Sequence, residues 1–192
     1  MRRRQLLRTS LLGAALTATG LVVRPARAHA MGGSLPALDA PAPDFNLPGV
    51  APGPGSGQGA AQATQLALAD FAGLWLVLYF YPRDFTGGCT LEARGFQKDL
   101  KAFQRAGAAV VGVSADDPDS HASFCSEEGL AFPLLSDPGG TVSQRYGSWI
   151  APFSQRHTFL IDPKGVIRSR WVAVRPSGHS REVLEELRRL QA

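Results

Sequence analysis

Cysteine is scarce in this chain: two among 192 residues, Cys89 and Cys125. Histidine is scarce too, at four (His29, His121, His157 and His179). None of the four forms a ligand pair with a cysteine at a standard spacing, so no metal and no other cofactor is expected. The glycine-rich segments match neither a phosphate loop nor a dinucleotide fingerprint. Acidic residues are missing from the start of the chain as far as Asp39. No apolar run is long enough for a comfortable membrane span of about 20 residues. The stretch Leu11 to Val23 is shorter and is interrupted by Thr and Gly. Internal repeats are absent. An excess of positive charge is also absent once residues 1–30 are set aside. That segment holds six arginines and no acid, and without it the formal charge of +4 becomes −2. The sequence pI of 9.5 is therefore a property of the leader. Nothing in the remainder forms a basic patch that would point to a nucleic acid.

What the leader does contain is ordered. Arg2, Arg3, Arg4 and Arg8 precede the short apolar stretch, and Ala28-His29-Ala30 follows it. A basic region, a short apolar region and a small-residue site are the parts of an export signal. Arg3-Arg4-Gln5-Leu6-Leu7 resembles a twin-arginine signal, which would suit a protein exported already folded. Residues 1–30 are expected to be cleaved after Ala30, or after Ala28. An uncleaved anchor and an ordinary export signal are the alternatives. The destination is a periplasm or a thylakoid lumen, with no stable membrane span after cleavage. Residues 31–41 read as a flexible lead-in and 42–192 as one domain, a length that suits a single core.

The domain opens with a short extended segment, Pro43 to Pro48. Pro48 to Gln62, rich in Gly, Pro, Ala and Gln, reads as a solvated loop. Gln65 to Leu68 is a short strand. Leu74 to Tyr81 is an unbroken apolar run, expected to be a strand buried on both faces. Pro82 stops it. Apolar residues then recur at Cys89, Ala93, Phe96, Leu100 and Phe103, one face of an amphipathic helix that Gly107 ends. Ala108 to Val113 is a second buried strand. Asp117-Pro118 is an N-cap with proline in the first turn, and Gly129 closes that helix. Phe132 to Leu135 is a short strand and Thr141 to Tyr146 a short helix. Thr158 to Ile161 and the strand from Val166 flank a turn at 162–165. Ser180 to Leu190 is a terminal helix. Strands alternating with helices, plus one late hairpin, predict an α/β domain with a central mixed sheet flanked by helices.

Cys89 falls in the first turn of a helix that follows a buried strand. The first N–H groups of a helix lack internal partners and the dipole is positive there, so a thiolate at that point is stabilised. A buried structural cysteine is the alternative, since a lone Cys on an apolar helical face usually packs. Gly87-Gly88 before it exposes the backbone, and Thr86 places a hydroxyl one turn before the thiol.

Pro82, Thr86 and Cys89 form P-x-x-x-T-x-x-C, which resembles the peroxidatic-cysteine motif of the peroxiredoxins. The string Leu78-Tyr79-Phe80-Tyr81-Pro82 is similar to the peroxiredoxin Q branch, also called bacterioferritin comigratory protein. The likeness runs from about Pro43 to the C-terminus. It implies a thioredoxin-like peroxiredoxin fold and a thiol peroxidase acting on hydrogen peroxide and alkyl hydroperoxides. Cys89 is then the peroxidatic nucleophile, and Pro82 shields the thiol. The Thr86 hydroxyl can then hydrogen-bond both the sulfur and the incoming oxygen. Arg156-His157-Thr158-Phe159-Leu160-Ile161-Asp162 resembles the segment that brings an arginine to the site, which makes Arg156 catalytic. A guanidinium offers fixed donors to the peroxide oxygens and to the thiolate. A surface residue at a strand start is the alternative for Arg156, and a helix cap that for Thr86.

The resemblance also departs from the commonest pattern. Many relatives carry a resolving cysteine five residues after the peroxidatic one, and here that residue is Arg94. Another branch places it on the next helix, where Cys125 fits. Cys125 packing inertly beside Phe124 in a one-cysteine enzyme is the alternative. A thioredoxin-like dithiol as reductant and a monomeric state follow from the resemblance alone. A copper-handling or redox module of thioredoxin-like fold would need a second cysteine three or four residues after Cys89, and Glu92 and Ala93 stand there. Trp149 and Phe153 are read as a wall near the pocket. Arg83 and Asp84 are read as solvated loop charges, His157 as a strand residue, and His121 as part of a solvated helix face, with an influence on Cys125 one helical turn later as the alternative.

Overall fold

The structure is a computed structural model that describes residues 29–30, 32–53 and 61–192. Residues 1–28, 31 and 54–60 lie outside the described residues, and with them nearly all of the expected export signal. In chain order the elements are β1 (His29–Ala30), β2 (Gly33–Ser34), β3 (Asn46–Pro52) and β4 (Ala61–Ala67), then a 3₁₀ turn (Leu68–Phe71). They continue with β5 (Trp75–Phe80), α1 (Gly87–Arg105), β6 (Ala108–Ser114), α2 (Pro118–Glu128), β7 (Leu134–Ser136) and α3 (Thr141–Arg145). The chain closes with β8 (Trp149–Ile150), β9 (Phe153–Ser154), β10 (His157–Ile161), β11 (Ile167–Trp171) and α4 (His179–Gln191).

Seven strands form the central sheet in the order β11-β10-β5-β6-β7-β3-β4. The pairs β5–β6 and β6–β7 are parallel, and the other neighbours are antiparallel. This is the mixed sheet expected from the sequence. Its centre carries near-continuous apolar runs because both faces are covered. Leu76 to Tyr81 are all buried. On one face Val77, Tyr79 and Tyr81 meet Phe96, Phe103, Phe124, Val183 and Leu187, drawn from α1, α2 and α4. On the other, Leu76, Leu78 and Phe80 meet Val142, Tyr146, Leu35 and Phe45. Both cysteines belong to the first of these layers.

One expectation fails. The Gly/Pro-rich stretch after Pro48 is not all loop, because β3 runs on to Pro52 and β4 starts at Ala61. Composition concealed the reason. Leu47 and Val50 bury their side chains, and Gly49 lies so close to β7 that a Cβ there would stand 2.1 Å from the Leu134 carbonyl oxygen. The glycine that looked like a loop residue is what lets β3 pair.

Candidate active site

Two registers assemble the site. β5 ends at Phe80, and the chain turns through Pro82 to Thr86 before α1 begins at Gly87. Antiparallel to β5, β10 pairs His157 with Phe80. Arg156, the residue before His157, is thereby level with the residues just past the end of β5. The Arg156 carbonyl accepts from Val174 N–H at 2.9 Å, which fixes the backbone behind it.

Cys89 is the third residue of α1 and is 1% exposed. Thr86 sits at the N-cap position but gives no side-chain cap, so the unpaired N–H groups of the first turn remain open beside the thiol. Arg156 Nη2 donates to Cys89 Sγ at 3.3 Å. Its other terminal nitrogen, Nη1, donates to Glu92 Oε2 at 2.5 Å. A Cβ on Gly88 would stand 3.1 Å from Arg156 Nη2, so glycine at that position keeps the guanidinium from being crowded. The structure thus joins Cys89 and Arg156, and it adds Glu92, which the sequence reading passed over. The available signal was its spacing: Glu92 is one turn after Cys89, beside the apolar face of α1.

Glu92 is in an uncommon state. Its side chain has no exposure and its Oε1 has no partner among the described residues. Burial pushes its pKa up to about 7, against the pull of the Arg156 charge and hydrogen bond. For Arg156 burial acts downward, but the charges of Glu92 and Cys89 outweigh it and its pKa is raised. The Glu92 shift carries a sign for stability. Between the ordinary glutamate value and about 7, the folded protein holds a proton that the unfolded chain has lost. Stability therefore falls as pH rises through that window. Glu92→Gln is expected to flatten this slope in urea midpoints measured across pH 4.5–7.5. An undiminished slope would show that Glu92 is not its source.

Pro82 is half-buried two residues past the end of β5, at the start of the turn that leads to the thiol. Thr86 closes that turn at the N-cap of α1. Its hydroxyl is exposed and donates to the Arg83 carbonyl at 3.0 Å rather than to sulfur. Of the expected aromatic wall, Phe153 reaches the loop before Cys89, with the Arg83 guanidinium 5.9 Å over its ring. Trp149 instead covers Gly140 at the start of α3.

Asp84 and His121 are corrections. Neither is solvated: they are 4% and 0% exposed. Asp84 accepts from Tyr81 Oη at 2.7 Å, from Ser120 Oγ at 2.9 Å and from His121 Nδ1 at 2.8 Å. Its own N–H donates to Asp116 Oδ2. Arg83 is exposed, as read, and lies 3.9 Å from Asp116. Phe85 holds a left-handed backbone with φ 57°, uncommon for an aromatic residue, and its ring meets Phe124 edge-on at 5.1 Å. The loop that delivers Cys89 is therefore fastened to α2, the helix carrying Cys125, by a polar cluster and a ring contact.

Cys89 and Cys125 are both free thiols. Burial, then the Asp84 charge, pushes the Cys125 pKa up to about 12. In this state Cys125 is a neutral thiol and a poor nucleophile. Arg94, at the position five residues after Cys89, bridges to Glu128 on α2 at 2.5 and 3.2 Å. His157 lies in β10, buried, with both ring nitrogens unpartnered among the described residues. Among those residues no group of three His, Cys, Asp or Glu is placed to hold a metal ion.

Comparison with known proteins agrees with this geometry. The model of the AhpC/TSA family matches residues 38–170. Peroxiredoxin Bcp of Xanthomonas campestris pv. campestris is 38% identical over 160 residues, covering 79% of this chain and 94% of that protein. A solved structure of the X. campestris bacterioferritin comigratory protein, described for its alkyl peroxide reduction activity, superposes with a TM-score of 0.65. It is 36% identical and the match covers 67% of this chain and 87% of that one. Mycobacterium bovis AhpC gives a TM-score of 0.73 at 30% identity over 82% of this chain and 94% of that one. A thiol at a helix start, an arginine donating to it, a matching family model and close relatives over most of the chain lead to one conclusion: this protein belongs to the AhpC/TSA family, among the peroxiredoxins of the Bcp and Q type.

Proposed function

We propose that this peroxiredoxin reduces hydrogen peroxide and alkyl hydroperoxides through a sulfenic acid on Cys89, resolved by Cys125. The observation that carries the reading is the Arg156 Nη2–Cys89 Sγ hydrogen bond of 3.3 Å at the open first turn of α1. The thiolate attacks one peroxide oxygen, the O–O bond breaks, and the departing oxygen leaves as water or alcohol. Arg156 donates to the sulfur and to the oxygen on which charge develops. Cys89 is left as Cys–SOH. Cys125 then displaces hydroxide and closes a disulfide, which a thioredoxin-like dithiol reduces. The alkyl peroxide activity described for the X. campestris relative supports organic hydroperoxides as substrates. The copper-handling alternative is not favoured.

The basic leader supports export, by the twin-arginine route, to a periplasm or thylakoid lumen. No helix of the described residues is long and apolar enough to cross a membrane. Monomer is the proposed oligomeric state, from the family resemblance. A one-cysteine cycle is the competing reading, favoured by the buried, neutral state of Cys125. Non-reducing peptide mapping after one equivalent of peroxide separates the two. A Cys89–Cys125 bridge, with faster amide exchange in the first turn of α1 and in α2, is the expected result. Over-oxidised Cys89 with Cys125 still free would replace it by the one-cysteine cycle.

A further inference from the structure

The resolving step poses a problem of proton inventory. Cys125 must lose a proton before it can attack, and its surroundings oppose that loss. The same helix carries an unused base. His121 and Cys125 are both buried and four residues apart on α2, so their side chains share one helical face a single turn apart. Side chains of a helix lean toward its N-terminus, so Cys125 leans toward the turn that bears His121. His121 Nδ1 is 2.8 Å from Asp84 Oδ2, and that oxygen accepts, so the ring proton belongs on Nδ1. The lone pair then resides on Nε2, which is buried and has no hydrogen-bond partner among the described residues. A bare imidazole acceptor, oriented by a carboxylate, thus stands one turn from the thiol that must be deprotonated.

We infer that His121 is the general base of the resolving step, and that Asp84 is the residue that positions it. This rests on the two-cysteine cycle proposed above. In the step, Cys125 Sγ–H gives its proton to His121 Nε2. The resulting thiolate attacks Cys89 Sγ, forming the S–S bond and breaking the S–O bond. The hydroxide that leaves takes the proton back from His121 and departs as water. Cys125 sulfur is oxidised and Cys89 sulfur reduced, so no further reactant is needed. The imidazole meets Asp84 from the loop and Tyr81, the residue just past β5; Ser120 of α2 bonds the same Asp84 carboxylate, and Cys125 follows one turn further along α2. Tyr81 Oη and Ser120 Oγ donate to Asp84, leaving it to accept from the ring as well. Asp116 stands behind, bonded to the Asp84 backbone. None of these, Cys125 included, is hydrogen-bonded to Nε2 in this structure, so the proton transfer accompanies the opening of α2 that bridge closure requires.

The test follows disulfide closure alone, starting from pre-formed Cys89 sulfenic acid, by rapid quench and mass spectrometry. His121→Gln keeps a donor for Asp84 but cannot accept the thiol proton, and it is expected to slow closure at pH 7 about a hundredfold. Its closure rate should also climb about tenfold per pH unit, following direct thiol ionisation, where the wild-type rate is level. A slower rate with the wild-type pH profile would mean a structural role and would overturn the inference, as would an unchanged rate. Should the variant fold poorly, the wild-type ring supplies a second reading. Nitrogen NMR of labelled histidine should find the neutral ring protonated on Nδ1, and a proton on Nε2 would refute the base. If wild-type protein forms no Cys89–Cys125 bridge, the two-cysteine cycle itself fails. If the bridge forms but the His121→Gln rate and profile are unaltered, only the role of His121 falls.

Discussion

Cys89→Ser is expected to abolish peroxide consumption while leaving the fold in place. Serine is nearly isosteric, and its oxygen still accepts from Arg156 where Sγ now does. What it lacks is an ionised form at neutral pH, and the thiolate is the species that attacks. The side chain is enclosed, so the exchange leaves no cavity larger than the difference between sulfur and oxygen. Peroxide loss with excess dithiothreitol, read beside far-ultraviolet circular dichroism, checks both halves of this expectation. Cys125→Ser provides the contrast: it should still consume one equivalent of peroxide rapidly, because the first step does not use Cys125. Near-wild-type turnover by Cys89→Ser would remove the nucleophile from the mechanism.

The parts of the site legible in the sequence were those written in periodicity and spacing. Leu74 to Tyr81 reads as a strand covered on both faces, which β5 fulfils over Trp75–Phe80 with Leu74 exposed ahead of it, and Cys89, Ala93, Phe96, Leu100 and Phe103 mark the buried face of α1. Those two elements place the thiol. Arg156 was legible only through its neighbours, because an arginine before an apolar strand has no periodic signature. What brings it to sulfur is the His157–Phe80 register, a long-range pairing that no local pattern encodes.

The misread residues were single polar groups whose partners come from elsewhere in the chain. His121, Phe124 and Cys125 are the buried residues of α2, and their three-and-four spacing was visible. A histidine in that row reads as solvated from the sequence because its partner, Asp84, is 37 residues earlier. Asp84 in turn looked like a loop charge because turns favour aspartate for local reasons. Glu92 was passed over similarly, since its burial is tolerable only beside Arg156, 64 residues away. A buried carboxylate without a partner would be severely penalised. In β3 the error had the opposite origin. Glycine and proline suggested a loop, whereas Gly49 is there to let two backbones meet.

Arg156→Met is expected to slow the peroxide step by about two orders of magnitude or more, the usual cost of losing a key transition-state donor. Methionine fills much of the same volume, so the change isolates the guanidinium. Two effects coincide. The sulfur loses the Nη2 donor at 3.3 Å, and the departing peroxide oxygen loses the cation on which its charge would settle. A third change opposes them in part. Glu92 loses its only hydrogen-bond partner among the described residues, where its Oε1 is already unpaired. Burial then acts on Glu92 without the opposing pull of Arg156, so the carboxyl stays protonated to higher pH and places less negative charge near the thiol. Stopped-flow oxidation gives the rate, and alkylation by iodoacetamide reports the nucleophilicity of the thiol independently of peroxide. A loss in both, larger for peroxide than for iodoacetamide, is the expected pattern, since only peroxide needs the leaving oxygen held. Equal losses would confine Arg156 to stabilising the thiolate, and no loss in either would take it out of the site.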